Sequence, residues 1–265
     1  MKSIRLFGLA ASIAISALTL APVQSMAAAA LDGDHIAATT GGDIVIHPLK
    51  HATLALSWNG QTIYVDPTPA PGAPAGTDGA APFAGLPAAN VILVTDIHGD
   101  HYNAAALTKL AGANTMIIAP QAVVNLPDFP AALKAKTHVL ANGASMTMGG
   151  VTYEGVPMYN TTADRLQFHT KGRGNGYVVT LGGKRVYIAG DTEAVPEMRA
   201  LKNIDVAFIP MNLPYTMTPE AAAEGVLAFK PKIVYPYHYG MSDVGAFAKA
   251  VGTTNGVEVR QRNWY

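Results

Sequence analysis

Residues 95–102 read TDIHGDHY, so Asp96, His98, Asp100 and His101 put two carboxylates and two imidazoles into six positions. Imidazole nitrogen and carboxylate oxygen together make the donor set that suits zinc, iron or manganese. The segment follows directly on the apolar run VILV at 91–94, which predicts a buried strand. Residues two apart share a side of an extended chain, so Asp96, His98 and Asp100 are expected to converge. His101 joins them if the chain turns there, and Gly99 is expected to let the backbone come close. The plainer reading is a polar strand-to-helix turn, with Asp100 capping a helix from Tyr102 onward.

Three later apolar runs also end in polar groups. VYIA at 186–189 leads into Gly190-Asp191-Thr192, VAFI at 206–209 into Pro210-Met211-Asn212, and IVYP at 233–236 into Tyr237-His238-Tyr239. Open α/β sheets build their sites at the carboxyl ends of strands. Alone, Asp191 reads as a helix cap and His238 as a hydrogen-bonded, partly buried histidine. Together with residues 95–101 they point to one metal centre. The chain has no cysteine, which removes thiolate nucleophiles, cysteine-held zinc and disulfides. It has no G-x-S-x-G either, which disfavours a serine hydrolase.

These groups need elements to carry them. Short strands are predicted at 43–47, 51–57 and 61–65, the last two joined by Trp58-Asn59-Gly60, a hairpin signal. Residues 67–87 carry prolines at 67, 69, 71, 74, 82 and 87 and are expected to form a functional loop or flap. Further strands are predicted at 91–95, 115–119, 137–140, 145–148 and 151–156, with helices at 103–110 and 121–125. A second hairpin pairs 176–181 with 184–189 across Gly182-Gly183. Strands at 205–209, 233–235 and 257–260 alternate with a helix opened by Thr218-Pro219 and another at 242–251. Two runs of meandering β, each passing into βαβ units, predict a layered α/β sandwich.

Composition bounds the partners and the compartment. The 265 residues can bury a substantial core. Formal charge is zero and no basic block appears, so nucleic acid is not an expected partner. Lys2 and Arg5 precede a 16-residue apolar run at 6–21 and a small-residue stretch, SMAAAA, at 25–30. That is the plan of a secretory signal, and the run is shorter than the ~20 residues a spanning helix needs. The expectation is a cleaved signal over 1–28, one domain over 29–265, a periplasmic or secreted location, and no stable membrane anchor after cleavage.

In the order TDIHGDH (95–101), AGDT (189–192) and PYHYG (236–240), the sequence resembles the metallo-β-lactamase-fold hydrolase superfamily. That superfamily carries H-x-H-x-D-H after a strand, a later histidine, a Gly-Asp and a final histidine. HATLAL (51–56) and VDP (65–67) resemble its opening strands, and PMNLPYTMTPEAA (210–222) resembles its UlaG-like branch. The resemblance implies an α/β fold, a four-layer αββα sandwich of the metallo-β-lactamase type. It implies a divalent metal, zinc first and manganese or iron as alternatives, as one or two ions. His98 would belong to the first metal site, Asp100, His101 and His238 to the second, and Asp191 would bridge them. A metal-bound hydroxide would attack a small-molecule ester, lactone or phosphodiester.

Two departures concern the first site. Asp96 stands where the motif has its first histidine, and VPMYNTT (156–162) puts Tyr159 or Asn160 where the later histidine belongs. A strong second site and a weakened first one are expected, with Asp96 as a hard ligand and Asn160 as a weak one. His169 reads as a surface loop histidine or as a group facing the substrate. Lys171 and Arg173 beside it could meet an anionic substrate. His51 and Tyr239 are further candidates to touch the site, and Tyr237 or Tyr239 could donate to a reacting oxyanion. His47 and His138 are given no role. The competing function is a metal-containing binding or scaffold protein that has lost hydrolysis, which Asp96 and Asn160 would favour.

Overall fold

A computed structural model describes Met1 and residues 33–69, 72–74 and 76–265. Apart from Met1, the expected signal segment lies outside the described residues. The first seven strands are β1 (Asp34–Ile36), β2 (Ile44–Lys50), β3 (Thr53–Trp58), β4 (Gln61–Val65), β5 (Val91–Leu93), β6 (Met116–Ala119) and β7 (Thr137–Val139). They form one sheet in sequence order. The second sheet follows the same rule with β8 (Ser145–Met148), β9 (Val151–Met158), β10 (Gly174–Leu181), β11 (Lys184–Ile188), β12 (Val206–Pro210), β13 (Ile233–Tyr237) and β14 (Glu258–Val259). Each sheet begins antiparallel and turns parallel, at β4–β5 in the first and at β11–β12 in the second.

Period-two alternation divides the central strands between cores. Leu54 and Leu56 of β3, Val91 and Leu93 of β5, and Val206 and Phe208 of β12 meet in one core between the sheets. Their neighbours Ala55 and Ile92 face outward, with Leu107 of α1 (Ala104–Leu110) and Val123 of α2 (Gln121–Val124). On the second sheet, Ala207 and Ile209 face Met198 of α3 (Pro196–Arg199), Val226 of α4 (Pro219–Phe229) and Phe247 of α5 (Val244–Val251). Three cores separate four layers, so the fold is the αββα sandwich implied by the resemblance. The sequence did not predict β1 or α3. It also placed His51 in a strand, whereas His51 sits in the β2–β3 turn with φ 54°.

Helix starts follow cap chemistry. Asn103 accepts a hydrogen bond from the Ala106 N–H at 2.8 Å and caps α1, so Asp100 is not the cap that the plainer reading required. Thr218 caps α4 with Pro219 in its first turn, and Asp243 caps α5. Because β4 and β5 run parallel, as do β11, β12 and β13, their carboxyl ends open on shared sheet edges. Asp66, residues 96–101, Asp191, Asn212 and His238 all follow such ends.

Phe208 is fully buried between the sheets against Tyr235, Tyr237 and Trp264. Phe208→Ala is expected to cost about 3–5 kcal/mol in denaturant unfolding, the usual range for a truncated core aromatic. A loss under ~1 kcal/mol, within the reach of a surface change, would contradict the inner core described.

Candidate metal centre

Beyond Leu93 the chain leaves the strand and turns: the N–H groups of His101 and Tyr102 both donate to the His98 carbonyl, at 2.9 and 2.8 Å. This turn splits the four ligand-type residues instead of lining them up along an extended segment. Asp96 and His98 fall into one cluster with His169; Asp100 and His101 fall into another with Asp191 and His238. Within each cluster the ligand atoms lie within 4.8 Å of one another. Gly99 is not needed for close approach, because a side chain there would meet nothing within 4 Å. The indispensable glycine is Gly190, at φ 65°, where a Cβ would lie 2.4 Å from Met158 Sδ. Its neighbour Asp191 is thereby aimed at the centre.

Asp191 stands between the clusters. Its Oδ2 is 3.2 Å from His101 Nε2 and 3.2 Å from His169 Nε2, and its Oδ1 is 3.2 Å from His238 Nε2. Asp100 Oδ2 lies 3.3 Å from His238 Nε2 and 3.9 Å from His101 Nε2. His101 Nε2, His169 Nε2 and Asp191 Oδ1 are buried without a hydrogen-bond partner. Buried polar atoms are almost always paired, so three orphans aimed into one centre fit a missing cation. The donor set of imidazole and carboxylate suits such an ion.

The rear sides of His101 and His169 fix which nitrogen faces inward. His101 Nδ1 lies 2.8 Å from Asp66 Oδ2, which leaves Nε2 with its lone pair toward Asp191. Thr95 holds Asp66 in turn, donating from its N–H at 2.8 Å and its hydroxyl at 2.6 Å. His169 Nδ1 lies 2.6 Å from Asn160 Oδ1, and the Asn160 amide NH2 donates to the Tyr215 carbonyl at 2.8 Å. The ionised Asp100 carboxylate only accepts, so His51 donates from Nε2 to its Oδ2, 3.1 Å away. A neutral ring then accepts at Nδ1 from the Tyr265 hydroxyl at 2.6 Å, whose oxygen accepts from the Gly240 N–H at 2.7 Å.

Electrostatics follow this geometry. Burial pushes Asp191 and Asp100 upward, but the facing histidines outweigh it and hold both carboxyls well below the usual range. Burial pushes His101 down, but Asp191, Asp100 and Asp66 outweigh it and raise the ring. Burial holds His51 below its ordinary value, consistent with a neutral donor to Asp100. Burial pushes Asp66 up. His51, Asp66 and His238 all take positive φ, at 54°, 45° and 46°, and such strain persists where the surroundings over-determine it.

Several expectations are corrected. The first cluster does not lack its later histidine: His169, buried rather than on the surface, supplies it from the loop before β10. Asn160 is not placed as a ligand; its oxygen is spent on His169. Tyr239 lies against Tyr265 and bonds the Arg262 carbonyl, and Tyr237 is buried with its hydroxyl accepting from the Gly190 N–H. Neither lines the cavity. Lys171 pairs with Glu197, and Arg173 pairs with Asp96, so both expected anion contacts are engaged within the protein. The sequence reading missed Asp66, although VDP after an apolar strand was its signal. It also missed Glu193, which accepts from the N–H and hydroxyl groups of Thr161 and Thr162 and so pins the loop that presents Asn160.

Comparison with known proteins identifies the family. Residues 45–238 match the family described as Beta-lactamase superfamily domain. A UPF0173 metal-dependent hydrolase of Symbiobacterium thermophilum is 35% identical over 179 residues, 62% of this chain and 74% of its own. Another, from Thermus thermophilus, is 32% identical over 205 residues, 74% of this chain and 84% of its own. The crystal structure of a protein assigned as a metal-dependent hydrolase from Parabacteroides distasonis is 39% identical with a TM-score of 0.75, covering 87% of this chain and 98% of that one. The chain therefore belongs to the β-lactamase superfamily and is a metal-dependent hydrolase of the metallo-β-lactamase fold.

Asp66 acts on the centre only through His101. Asp66→Asn is expected to weaken divalent-ion affinity by roughly 10–100-fold, the usual cost of losing a partner behind a ligating histidine. Competition with a chromophoric chelator measures this. Unchanged affinity in a folded variant would remove Asp66 from the centre.

Proposed function

We propose that the chain is an exported hydrolase of a small-molecule ester, lactone or phosphodiester, with a divalent ion held by Asp100, His101, Asp191 and His238. The carrying observation is that these four ligand atoms lie within 4.8 Å of one another while His101 Nε2 and Asp191 Oδ1 are buried without a hydrogen bond. Zinc is the first expectation, with manganese or iron compatible with the same donors. When bound, such an ion supplies a Lewis acid for a carbonyl or phosphoryl oxygen and lowers the pKa of water to about 7.

The chain's own residues do the rest. His51 orients the Asp100 carboxylate, and Asp66 orients His101. A cavity of about 560 Å³ opens above the clusters, within the size range of small-molecule sites. Phe168 and Tyr215, edge to face at 5.1 Å, form its aromatic wall. Pro69 and Ala73 of the proline-rich loop line it too, so this loop shapes the pocket as a flap would. Asn103 and Asn212 offer neutral amides to a substrate's polar groups. The scaffold alternative loses one of its two supports, since Asn160 serves to orient His169. Export rests on the charged, apolar and small-residue plan of the N-terminus. Among the described residues, no helix is long and apolar enough to cross a membrane.

Dialysis against a chelator is expected to abolish turnover on a panel of lactones, esters and phosphodiesters, and one equivalent of zinc or manganese to restore it. Turnover that survives complete metal removal would overturn this reading.

A further inference from the structure

The two clusters differ in what their ligand atoms already touch. In the second, His101 Nε2 and Asp191 Oδ1 have no hydrogen-bond partner. In the first, both oxygens of Asp96 are taken. Arg173 donates from Nε to Oδ1 at 3.1 Å and from Nη2 to Oδ2 at 2.9 Å, a bidentate fork. His98 Nδ1 lies 2.8 Å from the same Oδ2, and His98 Nε2 lies 3.4 Å from Arg173 Nη2. Nη2 also donates to the Phe168 carbonyl at 2.6 Å, which fixes the fork to backbone. Among the buried atoms of this cluster, His169 Nε2 has no hydrogen-bond partner, and His98 is partly exposed.

Asp96 is fully buried, and a buried carboxylate needs a cation against it. Arg173 is that cation. A divalent ion entering the first cluster would share Asp96 with a guanidinium already in contact and would be repelled by it. The local chain is shaped for this pairing. A Cβ at Gly174 would lie 3.0 Å from the Thr95 carbonyl oxygen and 3.2 Å from Asp96 Oδ1, so β10 starts in close contact with the pair. The pairing also accounts for a carboxylate at position 96. An imidazole could not accept two parallel N–H bonds from one guanidinium.

We propose that Arg173 is the resident cation of the first cluster, so that the protein holds one divalent ion tightly, at the second. This inference rests on the second cluster binding metal as proposed above. It differs from a weak site caused by missing ligands, because His169 completes the ligand count. The first cluster is closed by the charge of Arg173 and by the occupied oxygens of Asp96.

The test is metal stoichiometry of the full chain, freed of metal and titrated with zinc against a chromophoric chelator. Wild type is expected to take up one tight equivalent. Arg173→Met removes the charge and is expected to bind a second zinc roughly tenfold or more tighter than wild type does. Arg173→Lys keeps a cation and is expected to stay at one. If Arg173→Met does not fold, Asp96→His combined with Arg173→Met removes the buried anion as well and is expected to bind two. Two tight equivalents in wild type, or no gain when the charge is removed from a folded variant, would overturn the inference while leaving the second cluster intact. Uptake of no zinc at all would overturn both this inference and the functional reading beneath it.

Discussion

Asp191 is 2% exposed, and its carboxylate faces the ring nitrogens of three histidines, each 3.2 Å away. An anion so buried, with one oxygen lacking any hydrogen bond, is costly unless positive charge lies against it. Imidazolium or a metal ion can supply that charge, and the surrounding structure is arranged to bring either one. Gly190 permits the turn that places Asp191, and Tyr237 holds the Gly190 N–H from behind. Asp66, Asn160 and His51 each fix one ring or carboxylate around it.

The architecture explains why such a cluster can exist at all. Each half of the chain builds an antiparallel meander that turns parallel, and each places an aspartate just past the last antiparallel strand: Asp66 after β4 and Asp191 after β11. The two sheets pack through a single shared core, which brings these two strand ends to one rim. One half supplies Asp66 and residues 96–101; the other supplies Asp191, His169 and His238. Neither half alone assembles the centre, so packing between the sheets and formation of the site are one event.

Much of this was legible in the sequence, and what was missed has identifiable physical causes. Apolar runs ending in Asp or His marked the rim, because open α/β sheets build their sites at the carboxyl ends of strands. A layered α/β sandwich followed from strand and helix alternation, and the four-layer order from the family resemblance. The exchange of roles between Asn160 and His169 was not legible. The two are nine positions apart, and only the loop held by Glu193 and Arg165 lets the histidine reach inward while the amide stands behind it. The Asp96–Arg173 pair spans 77 positions, and charge alone could not tell a salt bridge from a contact to substrate. The turn at 98–102 was misread because period-two logic assumes that the strand continues, and β5 ends at Leu93.

The account is tested most directly by anomalous diffraction from crystals grown with zinc or manganese. It predicts one strong peak within coordination distance of Asp100, His101, Asp191 and His238 together. A strong peak bound by Asp96, His98 and His169 alone, or no peak near Asp191, would contradict it.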